Sequence, residues 1–364
     1  MNKNVTVLIM AAGTGGHVFP ALAIAQQLQN KNVNVEWLGT PQGMENSLLA
    51  TSAIPLHRIS VKGLRGIGIL RWLGAPFMLL IAFVQSINVI RRVKPNCILG
   101  MGGFICGPAG LAAKVLRKPL VIHEQNAVPG MTNSYLAKYS RKVFESFPNT
   151  FAKNIDAEFT GNPLRAEILS AAKSGVRKAN SGEFNVLILG GSQGALAINK
   201  VIPEVAANWT GQIKLVIRHQ TGSANLKETI ELYEKLDQQV GASLVVEPFI
   251  NDMASAYQWA DIVICRSGAS TVSELAALGL PSILIPYPYH KDQQQLLNAK
   301  WLERKGAASI IQQSEFSAKT VLPILLSLSA NPPQLTEIGN KARELACLNA
   351  AEIISSFCLE VANA

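Results

Sequence analysis

The sequence predicts an α/β protein built from two doubly wound, Rossmann-like parallel-sheet domains. Three observations carry that expectation. Short apolar runs alternate with helix-like runs through both halves, which is the signature of βαβ units. Each half opens in the same way, with a strand, a glycine-rich turn and a helix. At 364 residues the chain exceeds what one small core fills and suits two domains of ordinary size.

In the first half the strand-like runs are Val5–Ala11, Val33–Leu38, Cys97–Leu99, Leu120–His123 and Val143–Ser146, with helical runs such as Ala21–Gln29 and Pro108–Leu116 between them. The stretch Gly13-Thr14-Gly15-Gly16-His17 follows the first strand and leads into a helix beginning near Pro20. Such a turn lets a ligand approach the backbone and aims N–H groups at it. It is not a dinucleotide fingerprint, because Val18 stands where a third small residue is needed. Glu36 nevertheless lies where a ribose-binding acid would fall, so a dehydrogenase stays open on this turn alone. A phosphate loop has no need of a group that titrates near neutral pH; a site that removes a proton does, which makes His17 a candidate base. The bland alternative is a histidine that only caps the helix.

A further glycine turn, Gly100-Met101-Gly102-Gly103-Phe104, again follows a strand, and is read either as a second phosphate site or as close strand–helix packing. His123-Glu124-Gln125-Asn126 ends the next strand, where His123 and Glu124 are read as orienting the loop rather than as reacting groups. Thr160-Gly161-Asn162-Pro163-Leu164-Arg165 reads as the junction between halves.

The second half repeats the pattern. Asn185–Leu189 is followed by Gly190-Gly191-Ser192-Gln193-Gly194 and a helix, and further strands are read at Ile213–Arg218, Ser243–Val246, Asp261–Cys265 and Ser282–Pro286. No Gly-Lys-Ser/Thr follows the glycines, so this is not a P-loop. Cys265-Arg266-Ser267-Gly268 through Glu274 is a strand end running into small and hydroxylated residues at a helix start. That start suits phosphate, and the Glu274 carboxylate suits two ribose hydroxyls or, more simply, the helix dipole. After the next strand, Tyr287 to Gln295 ends in amides that both donate and accept, as sugar hydroxyls require. Taken together these stretches read as a nucleotide-sugar site. The last stretch, Thr336–Ala364, reads as one or two helices.

Composition narrows the function classes. Hydrophobic residues make up 48% and charged ones 16%, which excludes a disordered chain. The net charge of +9 points to an anionic partner. There is no basic tract or aromatic–basic motif, so no nucleic-acid partner is expected. Five dispersed cysteines without a Cys-x-x-Cys pair point to a reducing compartment, and Met1–Asn4 leads straight into a strand without a secretory leader. Trp72 to Ile90 carries no charge and is long enough to span a membrane, yet holds Gly74, Pro76, Gln85, Ser86 and Asn88. Its flanks are basic: Lys62, Arg65 and Arg71 before it, Arg91, Arg92 and Lys94 after it. On a helix after Pro76, Gln85, Asn88 and Arg92 fall on one side and Phe77, Leu80, Ile81 and Val84 on the other. A span, an interfacial helix on an anionic leaflet and a core helix all remain open, and replacing Leu79, Leu80 and Phe83 tests lipid contact.

In this order from about residue 5 to 310, the stretches Gly13–Pro20, Gly100–Gly103, His123–Asn126, Gly161–Arg165, Gly190–Gly194, Cys265–Glu274 and His290–Gln295 resemble the bacterial undecaprenyldiphospho-muramoylpentapeptide β-N-acetylglucosaminyltransferases. The resemblance implies a GT-B fold with the site in the cleft between two domains. These are an acceptor- and membrane-facing domain at 1–164, onto which helix 341–364 packs back, and a UDP-GlcNAc-binding domain at 165–340. It implies inverting transfer of N-acetylglucosamine from its UDP donor to the 4-hydroxyl of the muramoyl sugar of lipid I, giving lipid II. By this resemblance Thr14, Gly15, Gly16, Asn126, Arg165, Ser192, Ile250, Ala269, Ser270, Thr271, Val272, Ser273, Glu274, Gln294 and Gln295 contact the donor. Ile250 offers backbone groups to uracil, Glu274 holds the ribose, and Gln294 and Gln295 meet the sugar. Gly13, Gly102 and Gly103, in the loops Gly13–Gly16 and Gly100–Gly103, take the acceptor diphosphate, and His17 is the catalytic base.

No Asp-x-Asp pair ends a strand, so no required metal and no cofactor are expected. Arg165, Ser192 and the helix start near Ser267 would stabilise the leaving diphosphate instead. A peripheral place on the cytoplasmic face of the inner membrane follows from the lipid acceptor, with cell-division or elongation proteins as further partners. Two positions depart from the family pattern. Phe104 stands where a tyrosine is frequent, and Gln293 where a basic residue is. The competing readings are a GT-B transferase or epimerase acting on another UDP-sugar or lipid, a nicotinamide-dependent dehydrogenase, and a membrane-associated scaffold.

Overall fold

The computed structural model describes residues 5–50, 52–62, 74–175, 182–191, 194–235, 243–290 and 292–364. The chain divides into two compact units, Met1–Arg165 with Cys347–Ala364, and Ala166–Ala346.

The first unit holds a parallel sheet of β1 (Thr6–Met10), β2 (Asn34–Gly39), β3 (Leu56–Arg58), β4 (Cys97–Gly100), β5 (Leu120–Glu124), β6 (Lys142–Glu145) and β7 (Ala157–Phe159), in the order β3-β2-β1-β4-β5-β6-β7. Strands buried on both faces read as continuous apolar runs rather than alternating ones, and β1 is buried throughout. Val7 and Ile9 face one side, with Trp37, the helix Gly15–Asn30 and, from the C-terminal helix Ala350–Asn363, Ile354 and Cys358. Leu8 and Met10 face the other, with Ile98, Ile122 and the helices Ala75–Val93 and Cys106–Val115.

The second unit repeats the plan with β8 (Glu183–Leu189), β9 (Lys214–Gln220), β10 (Ser243–Glu247), β11 (Ile262–Cys265), β12 (Ser282–Leu284) and β13 (Ala308–Ile310), in the order β10-β9-β8-β11-β12-β13. In a doubly wound sheet ligands bind beyond the carboxyl ends of the strands, where the strand order reverses. Those points are β1/β4 and β8/β11. The four loops that leave these strands, at 11–14, 101–105, 190–195 and 266–268, are the glycine-rich or small-residue turns singled out above.

Several boundaries differ from expectation. The three-residue strands β3, β7 and β13 are too short to show a period in the sequence. The first helix starts at Gly15 rather than Pro20, which lies within it. The C-terminal stretch forms two helices, Pro332–Arg343 and Ala350–Asn363. The first stays in the second unit, where Arg343 donates to Leu278 O at 2.8 Å, and the chain joins the first unit only from Cys347.

Of the charge-free segment, Trp72 and the flanking Arg65 and Arg71 lie outside the described residues. The helix Ala75–Val93 is long and apolar enough to cross a membrane, yet one face of it packs on the sheet. Ala82, Val89 and Ile90 are buried there, with Met78, Leu79, Phe83 and Ile87 against them, while Phe77, Leu80, Ile81 and Val84 are exposed. The exposed four are the side read as apolar from helical spacing, whereas of Leu79, Leu80 and Phe83, named to test lipid contact, only Leu80 faces out and the other two pack on the core.

Candidate active site

In the first unit the chemistry gathers at β1, β4 and β5. Thr14 caps the helix Gly15–Asn30 through its backbone, and its side chain makes no capping bond. The first N–H groups of a helix have no carbonyl one turn back, so Gly15 and Gly16 present theirs outward. Gly13 does not, because its N–H is donated to Glu45 Oε2 at 3.2 Å. Glu45 is fully buried and also receives the Thr40 N–H and hydroxyl. Gly13 takes φ +98°, so a conformational need is visible at this position of the expected acceptor-diphosphate loop.

His17, the third residue of that helix, is partly exposed. Its Nδ1 lies 2.6 Å from Gln125 Oε1 at the end of β5. Its ring lies against the second glycine turn. A Cβ at Gly102 would come within 3.2 Å of both His17 Cε1 and Asn133 Nδ2, so only glycine leaves room for the imidazole. Gly102 has φ +90° besides. Phe104 stands beside Gly13.

The reading of His123 and Glu124 as orienting groups agrees with the geometry. His123 is buried, bonded at Nε2 to Gly161 O (3.1 Å) and at Nδ1 to Gln125 Nε2 (2.9 Å). Burial pushes its imidazole down to about 4, so it is neutral at pH 7. Glu124 accepts from the Asn126 and Gly130 N–H groups and from Asn133 Nδ2. Asn126, expected to touch the donor, also directs its Nδ2 to that carboxylate at 3.3 Å. The Arg165 guanidinium lies over the Phe19 ring at 5.1 Å, and Phe19 in turn covers Gly15, so the cation stands beside the first glycine loop.

Glu36 has another occupation than ribose. It sits in mid-β2, and its carboxylate pairs with His57 Nε2, whose Nδ1 receives Arg92. That removes the support it gave to a dehydrogenase.

In the second unit, Ser192 and Gln193 lie outside the described residues, as does Lys291. The glycine turn around them is tied down by Gly190 N–H to Gln220 O and Gly194 N–H to Gly191 O, each at 3.1 Å. A Cβ on Gly194 would come 2.3 Å from Thr221 O, so only glycine permits that approach. Gln220 also accepts the Ile250 N–H at 3.0 Å, and a uracil using that N–H has to displace the Gln220 oxygen.

The helix Ala269–Leu278 starts after β11 behind Gly268. Ala269, Val272 and Ser273 are buried, Thr271 is half-buried, and the buried Ser270 Oγ has no hydrogen-bond partner among the described residues. An orphaned hydroxyl at a helix N-terminus suits an anionic ligand. The Glu274 carboxylate, on the next turn, is buried and accepts from Tyr257 Oη at 2.9 Å. Gln294 opens the helix Gln294–Glu303 behind Gln293, which takes a left-handed φ of +49°. Gln295 is partly committed, since its Oε1 accepts from Tyr287 N and its carbonyl from Ser267 Oγ.

Sequence reasoning missed Glu45, Asn133 and Tyr257, and it quoted Gln125 without a role. Each acts through a partner that spacing does not reveal; Gln125 and His17 are 108 residues apart. The one signal was a run of polar residues at a strand's carboxyl end.

The chain matches the glycosyltransferase family 28 N-terminal domain over residues 7–145 and the family's C-terminal domain over residues 185–355. It belongs to glycosyltransferase family 28. The relative from Pseudomonas syringae pv. tomato, a UDP-N-acetylglucosamine–N-acetylmuramyl-(pentapeptide) pyrophosphoryl-undecaprenol N-acetylglucosamine transferase, is 47% identical over 98% of this chain and 99% of its own. The crystal structure of Acinetobacter baumannii MurG superimposes with a TM-score of 0.81 at 39% identity, covering 98% of this chain and 99% of that one. A UDP-GlcNAc 2-epimerase from Neisseria meningitidis shares the fold at TM-score 0.68 but only 14% identity, over 98% of this chain and all (100%) of that one. Family 28 membership sets aside the dehydrogenase and scaffold readings, and the full-length likeness to the transferase sets aside the epimerase.

Proposed function

We propose that this family 28 enzyme transfers N-acetylglucosamine from UDP-GlcNAc to the muramoyl 4-hydroxyl of lipid I, forming lipid II in peptidoglycan synthesis. The observation that carries the reading is its full-length identity with the Pseudomonas transferase of that activity. The site supplies the chemistry. Inversion needs a base on the acceptor oxygen and stabilisation of the departing diphosphate. His17 is the base: a partly exposed imidazole at the β1/β4 switch point, flanked by two glycine turns. The open N–H groups of Gly15 and Gly16 and the backbone of Gly102 and Gly103 favour the acceptor diphosphate. The helix start at Ala269–Thr271, with the Ser270 hydroxyl, favours the donor diphosphate without a metal; in the first unit the Arg165 cation is read as a further donor contact. Glu274 holds the ribose, with Tyr257 fixing its carboxylate. In this reading the first unit takes the acceptor and the second the donor.

The enzyme docks peripherally on the inner leaflet through Phe77, Leu80, Ile81 and Val84, flanked by Arg91 and Lys94. There it meets its lipid acceptor, on the cytoplasmic face, in reach of division and elongation proteins.

The test is UDP release from purified enzyme given UDP-GlcNAc and a short-chain lipid I analogue. Release that depends on the acceptor and persists in EDTA is the expected result. Release restored only by magnesium would overturn the metal-free site, and no release in either condition would overturn the acceptor.

A further inference from the structure

A continuous hydrogen-bond chain runs from Gly161 through His123 and Gln125 to His17, and its direction follows from the groups themselves. His123 Nε2 lies 3.1 Å from Gly161 O. A carbonyl only accepts, so Nε2 carries a proton. Ser146 Oγ, 3.2 Å from the same nitrogen, accepts as readily as it donates and leaves that unchanged. The buried ring is neutral at pH 7, so its Nδ1 holds a lone pair. Gln125 therefore turns its NH2 to it, donating to His123 Nδ1 at 2.9 Å and to His123 O at 3.0 Å. Both amide hydrogens are then used, and the side-chain oxygen faces His17 Nδ1 at 2.6 Å. That oxygen also only accepts, so His17 Nδ1 carries a proton.

We propose that Gln125 is a positioning residue that, anchored by His123, fixes the Nδ1–H tautomer of His17 and leaves Nε2 as the atom that takes the proton of the acceptor hydroxyl. This rests on the reading of His17 as the base. In the step, the acceptor O–H proton passes to Nε2 and the oxygen pair forms the bond to the anomeric carbon. The bond from that carbon to the donor diphosphate breaks with its pair, which leaves on UDP.

The buried anchor matters because an amide is symmetric in shape. A flipped Gln125 would offer NH2 to His17 Nδ1, move the ring proton to Nε2 and abolish the base. His123 prevents the flip, because its own Nδ1 needs a donor. The neutral amide also orients the imidazole without adding a negative charge that would hold the proton on it.

The experiment is the ¹⁵N spectrum of histidine-labelled full-length enzyme recorded in alkaline buffer, with the imidazoles neutral. The chain has five histidines, and His17 is identified by the signal lost in His17→Ala. We expect the Nδ1–H form in the native enzyme and a mixture of tautomers in Gln125→Met, which keeps the volume and removes the hydrogen bonds. Gln125→Met should lower kcat roughly 100-fold, within what a general base contributes, with the donor KM unchanged. Gln125→Glu should move the acid limb of the kcat profile to higher pH, because a carboxylate favours the imidazolium. A purely structural role would shift neither the tautomer nor the limb. An Nε2–H form in the native enzyme overturns the proposal, and so does an unchanged tautomer in Gln125→Met. Should Gln125→Met fail to fold, the native spectrum decides alone. The base assignment is tested apart from this, since His17→Ala with normal turnover would sink it whatever the tautomer.

Discussion

Each unit buries a histidine toward the end of a strand, and the two differ in where their hydrogen bonds lead. His123 on β5 passes its polarity through Gln125 to the partly exposed His17. His219 on β9 is bonded at Nε2 to Asn199 Oδ1 (3.1 Å) and at Nδ1 to Tyr233 Oη (2.9 Å), and Asn199 Nδ2 ends the chain on Thr221 O. Burial keeps both neutral, pushing His123 to about 4 and His219 to about 3. One network ends at a group that can meet substrate and the other at the main chain. The same physics, a desolvated and fully bonded imidazole, supports the proposed base in one unit and loop geometry in the other. A depressed pKa by itself does not mark a reacting group.

Substitution is the strongest way to break this comparison. His123→Leu removes the ring donor to Gly161 O and the ring acceptor of one Gln125 amide hydrogen, and should cost about 2–3 kcal/mol of stability together with roughly 100-fold in kcat. His219→Leu should cost a similar stability yet leave kcat at saturating donor within about threefold, since its network ends on the Thr221 carbonyl and reaches no group proposed to react. Urea titrations and steady-state kinetics on both variants check this. Equal loss of kcat in the two would erase the distinction.

Acid sharpens what the two share. Both folded pKa values lie below the unfolded value of about 6.5, so the unfolded chain binds more protons as pH falls through that window. Relative stability is greatest above about pH 6.5 and is lost toward pH 4 for His123 and toward pH 3 for His219, at up to about 1.4 kcal/mol per pH unit for each histidine. Unfolding measured at several pH values should give a shallower acid loss in His219→Leu than in the native enzyme; an unchanged slope would mean His219 is not held neutral.

Donor contacts give the next effect. Glu274→Ala should raise the donor KM by roughly 10- to 100-fold, and Tyr257→Phe by about fivefold, the worth of one hydrogen bond. Unchanged donor kinetics in Glu274→Ala would remove the ribose assignment.

The smallest effect concerns the helix Ala75–Val93. Phe77→Ser with Leu80→Ser should weaken binding to anionic vesicles with Tm held within a few degrees, whereas Leu79→Ser with Phe83→Ser should lower Tm because those side chains meet the core. The reverse pattern would place the outer face against protein.

What could be read in advance follows the range of the interactions. Strand, glycine turn and helix are neighbours in sequence, so both doubly wound sheets and the turns at β1, β4, β8 and β11 were legible. His17 stood out because a titrating residue in a glycine turn has few packing uses, and the structure sets it against Gln125 and the second glycine turn. Gln125 was not, because its role exists only once β5 lies beside the first helix and His123 behind it. Glu45 was hidden likewise: its carboxylate closes on Gly13 across 32 residues. Helical spacing separated the side of Phe77, Leu80, Ile81 and Val84, which is exposed, but did not show that Leu79 and Phe83 meet the core, because spacing does not say how much of a helix the sheet will claim.

The central claim is that His17 takes the acceptor proton. His17→Ala, assayed with saturating UDP-GlcNAc and a short-chain lipid I analogue, should lose about 1,000-fold in kcat while calorimetric UDP-GlcNAc affinity stays within about twofold. Retained turnover with a large loss of donor affinity would contradict it and make His17 a donor-binding residue.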